Sequence, residues 1–175
     1  MRVGPLLALS VLSWLSLGGA CIRSLQAQST WDAYRPGTIN QIIQRKDSSI
    51  RATPPNELPS WEMPGNQFPT RAIVRYRGDS RPIDPIRREI IRNWTFSFLH
   101  DSSIARLYSR EYLFQEGEQE LWLPVQDKVA SFFPRELHQG QAVTLYVVWL
   151  GAYYAGRDIT WAFAVNEFSA DSTAR

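Results

Sequence analysis

The chain has a single cysteine, Cys21, in 175 residues. No internal disulfide can form, and neither a Cys-x-x-Cys redox pair nor a thiolate zinc cluster can be assembled. Histidine is almost as scarce. His100 and His138 are the only two, and their separation gives no metal-ligand spacing. No glycine-rich loop precedes a helix, so a phosphate-cradling nucleotide site has no signature here. Lysine is nearly missing as well: two lysines stand against 17 arginines, and the formal charge is +2. A charge so close to balance implies no polyanionic partner by itself.

What is present is ample material for a core. Hydrophobic residues make up 44% and aromatics 13%, with seven Trp, which is the composition of a folding chain and not of a disordered one. The length predicts one domain with tails. Residues 1–20 carry the parts of a secretion signal. Arg2 supplies early positive charge, residues 5–17 (PLLALSVLSWLSL) form an uncharged apolar run, and Gly18-Gly19-Ala20 are small. The run is shorter than the ~20 residues that span a bilayer.

The junction Leu17-Gly18-Gly19-Ala20-Cys21 resembles the lipobox of bacterial lipoproteins, in which small residues precede a cysteine that is acylated and becomes the new amino terminus. The resemblance implies membrane attachment through an acyl anchor at Cys21. Ile22 stands where an aspartate would mark inner-membrane retention, which points to the periplasmic face of an outer membrane. Ordinary cleavage after Ala20 or Ala27, giving a secreted protein, is the alternative.

Residues 21–67 read as a tether, either lipid-anchored or free, with a short helix after Thr38 through Ile39, Ile42 and Ile43. Five prolines between Pro54 and Pro69 exclude regular helix and favour an extended spacer. Trp61 and Phe68 within it suggest a segment laid across the domain. The globular domain is expected over residues 68–170, with a disordered tail at 171–175.

Within it, Ala72–Arg77 reads as a strand closed by Gly78-Asp79. Asp84-Pro85 opens a helix, with Ile86, Ile90, Ile91, Trp94 and Phe98 on one face. Leu107–Gln115 and Glu120–Leu123 form a hairpin, with Glu116, Glu118 and Glu120 as solvated tip residues. A short helix over Gln126–Phe133 ends at Pro134. Strands over Ala142–Tyr153 and Ile159–Phe168 follow. On the last strand bulky Ile159, Trp161, Phe163 and Val165 alternate with small Ala162 and Ala164, so a second layer can approach closely. The fold class is therefore mainly β with helices (α+β): a small five-stranded OB-like barrel or half-open β-sandwich, with one inserted helix and one short helix before the last hairpin.

No catalytic constellation is recognisable. His100-Asp101-Ser102-Ser103 are adjacent in sequence, whereas a triad converges from separate elements; they read as a helix-terminating loop. Asn93-Trp94-Thr95 matches a glycosylation sequon on an apolar helix and is a chance match. Residues 71–92 hold seven arginines, and Arg75, Arg77, Arg87, Arg88 and Arg92 are the first candidates for a binding surface. Tyr153, Tyr154 and Arg157 flank a turn and are the second. Such guanidinium groups suit an anionic envelope lipid or polymer, or an acidic envelope protein. An OB-like barrel also invites single-stranded nucleic acid, but export argues against it. No cofactor and no metal are expected. The sequence thus points to an exported, lipid-anchored, non-enzymatic binding or assembly module. A secreted hydrolase acting on envelope polymers is the alternative.

Overall fold

The computed structural model describes residues 31–54, 57, 59–64, 68–156 and 158–170. The leader, Cys21, Arg157 and the tail at 171–175 lie outside the described residues. In chain order the elements are β1 (Arg35–Pro36), α1 (Ile39–Ala52), β2 (Trp61–Glu62), β3 (Thr70–Pro82), α2 (Pro85–Leu99) and a 3-10 segment (Ser102–Leu107). They continue with β4 (Arg110–Glu116), β5 (Gln119–Val125), α3 (Asp127–Ala130), α4 (Phe133–Glu136), β6 (Ala142–Ala155) and β7 (Asp158–Ala170).

The strands form one sheet in the order β1-β3-β4-β5-β7-β6-β2, and β3 also pairs with β6. The five long strands therefore run in a ring, β3-β4-β5-β7-β6 and back to β3. This is the expected α+β class with the expected barrel-like order, α2 being inserted after the first ring strand and α3–α4 after the third. The ring is unevenly closed. β5 meets β7 in parallel through one register pair, Val125↔Val165, beside one hydrogen bond from the Gln126 N–H to the Val165 carbonyl at 3.3 Å. Side chains reinforce that seam. The Tyr108 hydroxyl donates to Asn166 Oδ1 at 3.1 Å and accepts from Gln126 Nε2 at 3.1 Å. Asn166 Nδ2 in turn donates to the Tyr34 hydroxyl at 3.0 Å.

Alternation fills the ring from within. Ala72, Val74 and Tyr76 of β3, Phe114 of β4, Leu121, Leu123 and Val125 of β5, and Phe163 and Val165 of β7 share the inner core with Phe133 of α4. Each large apolar side chain buried this way contributes about 1.5–3 kcal/mol. The outer face of β6 and β7 forms a second core, because the small face predicted for the last strand does accept a layer. Ile90, Ile91 and Trp94 of α2 cover Val148, Leu150, Ala162 and Ala164. Asp84 caps α2 by accepting from the Ile86 and Arg87 N–H groups, and His100 ends it in a left-handed conformation.

Three expectations are corrected. First, β3 does not stop at Arg77. It continues to Pro82 through an irregularity between Tyr76 and Ser80, where Gly78 at φ 88° supplies the turn in the strand. Second, Pro134 ends no helix. It sits in the first turn of α4, where its missing N–H has no intrahelical partner to lose. Third, the segment expected as a tether to residue 67 joins the domain much earlier, since Tyr34 onward belongs to one compact unit.

The reason lies in two attachments. Ile39 of α1 is fully buried in the inner core, and Glu116 accepts from the Ile39 and Asn40 N–H groups at 2.9 and 2.7 Å. A carboxylate there satisfies orphan amides and complements the helix dipole. Glu116 is thus buried at the hairpin base and not a solvated tip residue. Further on, the Pro-rich stretch lies across the sheet as a strap. Trp61 and Glu62 pair with Tyr153 and Ala152 of β6. Gly151 permits this approach, because a Cβ at that position would stand 2.4 Å from the Glu62 carbonyl oxygen.

Candidate binding surface

The arginines singled out from sequence do not form one patch. β3 turns Arg71, Ile73 and Arg75 outward while Ala72 and Val74 point inward. Arg75 donates to the Gly140 carbonyl at 3.1 Å, and Arg77 donates to Gln115 Oε1 at 3.3 Å. Arg87 has turned inward. Its Nε donates to the Trp161 carbonyl at 3.0 Å, and its Nη1 lies 3.2 and 3.1 Å from the two oxygens of Glu111. Glu111 is fully buried and also accepts from Arg81 Nε at 2.5 Å. Arg81 lies over the Trp122 ring at 4.0 Å. This ion cluster holds α2 and β3 to β4; it is structural. Arg92 pairs with Glu89 on the surface of α2, and the Arg88 side chain is exposed with no ion pair among the described residues.

Tyr153 and Tyr154 do not form the exposed edge expected of them. The strap covers them. Tyr153 stacks on Trp61 with ring centroids 4.5 Å apart. Tyr154 is buried, and its hydroxyl donates to Glu62 Oε2, the carboxylate that also pairs with Lys46 of α1. Burial, then the hydrogen bond to the Glu62 anion, holds the Tyr154 phenol far above its ordinary value. Arg157 lies outside the described residues.

The histidine loop behaves as expected. Asp101 Oδ1 accepts from the Ser103 N–H at 2.8 Å, and hydrogen bonding from the Ser103 side chain, then from this N–H, holds its carboxyl below the usual range. No helix among the described residues is long and apolar enough to cross a membrane. Among them, too, no three His, Cys, Asp or Glu side chains converge as metal ligands.

The surface that does stand out was missed from sequence. The last turn of α2 projects past the second core, leaving Phe96 65%, Phe98 37% and Leu99 44% exposed, and Leu107 of the returning 3-10 segment is 53% exposed. Phe98 leans on Trp94 at 5.5 Å, whose buried indole N–H has no acceptor among the described residues. Arg88, Arg92 and Arg106 lie on the exposed sides of the same two elements. The helical-face reading grouped Phe98 with Ile90, Ile91 and Trp94, which are buried; the available signal was the apolar content of Trp94–Leu99 exceeding what one buried face needs.

No protein family, no curated protein and no solved structure matches this chain.

Proposed function

We propose that this chain is an exported, lipid-anchored cell-envelope protein that acts by binding, and that the tip of α2 is its membrane-facing contact. The observation that carries the reading is the exposed group Phe96, Phe98 and Leu99, clustered in one helix turn, whereas the other exposed large apolar side chains, such as Ile73, Met63 and Phe132, come from separate segments. Leaving such side chains in water forfeits about 25 cal/mol for each Å² of apolar surface. Seating them in the interfacial zone of a bilayer recovers it. Arg88, Arg92 and Arg106 on the same elements suit the anionic headgroups around such a seat. The leader and Cys21 supply the route and the anchor. A rigid barrel then presents its remaining surface to soluble or envelope partners.

Two measurements on the protein made in its host test this. Intact mass of the mature form should correspond to a chain starting at Cys21 plus acyl groups; a start at Gln28 removes the anchor. With a photo-reactive phenylalanine analogue in place of Phe96, irradiation of whole envelopes should give lipid adducts. Cross-links to protein alone would move the tip to a protein interface and overturn the membrane assignment.

A further inference from the structure

A second site, distant in sequence from the tip and independent of the acyl anchor, lies where β1 and the start of α1 meet the end of the strap. An open cleft of about 310 Å³ is lined there by Arg35, Arg45, Gln41, Ile42, Phe68 and Pro69, among others. Its volume falls at the lower end of the range for small-ligand sites, which combine apolar walls with a few placed polar groups. The charged groups here are both guanidinium donors, Arg35 and Arg45. Neither the Arg35 nor the Arg45 guanidinium forms an ion pair among the described residues. Gln41 uses its Oε1 to accept from the Thr38 N–H at 3.4 Å, which leaves its amide NH2 as a further donor on the exposed side chain. Among the described residues, no carboxylate lines the cleft.

Phe68 forms an apolar wall in an unusual backbone state. At φ 42° it is a non-glycine residue in the left-handed region, a conformation that persists only where the surroundings impose it. The Thr70 hydroxyl holds it by donating to the Phe68 carbonyl at 2.8 Å. The adjacent end of the α1 dipole is already spent on Glu116, so the positive character of the cleft comes from the two arginines.

We infer that this cleft binds a sugar-sized molecule carrying an oxyanion, phosphate or carboxylate, with Arg35 and Arg45 gripping the charge and Phe68 flanking the body of the ligand. Guanidinium forks match both oxyanions in a bidentate fashion, and a wall of Phe68, Pro69 and Ile42 suits the apolar face of a pyranose ring.

Calorimetric titration of the full mature protein in detergent, with glucose 1-phosphate and separately with N-acetylmuramic acid, tests the site. Saturable binding of either probe that weakens at least tenfold in both Arg35→Gln and Arg45→Gln supports it, and the probe that binds identifies the source of the anion. Both side chains are exposed, so the variants should unfold within about 2 °C of the wild type, which separates lost binding from lost fold. Failure of both probes to saturate by about 10 mM, or binding that ignores both substitutions, would falsify the assignment. Neither outcome touches the Phe96 cross-linking result, so the two sites stand or fall separately.

Discussion

Glu111 shows how much of this molecule rests on single side chains that sequence alone does not mark. It sits in a strand of alternating character and reads as an ordinary outward-facing acid. Its burial is produced by Arg81 and Arg87, which arrive from β3 and α2 and close over it. Those partners lie 30 and 24 residues away, beyond any local pattern. A carboxylate removed from water and bonded to two guanidinium groups is costly to delete from one side only, because its partners keep their charge. Glu111→Gln should lower the unfolding free energy by about 3 kcal/mol, read as a shifted midpoint in urea. A change below about 0.5 kcal/mol would show that the arginines lose nothing by turning to solvent. The same blindness hid Glu116, whose helix partner is 76 residues away.

Elements with local signals were legible. Thr38 and Asp84 as helix caps, Pro85 at the start of α2, and the two faces of β7 were all readable, because capping and alternation depend on neighbours within a few positions. The docking of those elements was less so. Proline density excluded helix between Pro54 and Pro69, but it could not show that Trp61 and Glu62 would add a strand to β6. That addition depends on Gly151, where any side chain would collide with the Glu62 carbonyl. Gly151→Ala should therefore detach the strap, costing about 2–3 kcal/mol. Residues 54–69 should become susceptible to limited proteolysis while α2 and its core stay protected. Equal cleavage of the two proteins would mean that the strap is held by Tyr153 and Tyr154 alone.

At the scale of the whole molecule, four tyrosines share one dependence. Desolvation by burial raises the phenols of Tyr76, Tyr108, Tyr112 and Tyr154. A phenol is neutral when protonated, so the folded chain holds these protons more tightly than the unfolded chain. Stability is complete below the unfolded tyrosine value of about 10 and falls as pH rises through and beyond it. Urea titrations across that range should show a plateau followed by a decline, and Tyr154→Phe should make the decline shallower. A flat profile to the alkaline limit would contradict the burial of these hydroxyls. Five long strands with a helix after the first and a second after the third were legible in the sequence, but neither the exact ring order nor the place where the ring is weakest was. Every other boundary of the cylinder carries five or more register pairs, against one between β5 and β7. The barrel is thus a sleeve with a slit, fastened by Tyr108, Gln126 and Asn166 like a row of clasps. Amide hydrogen exchange is expected to be fastest along that line, where a single register pair stands between the interior and water.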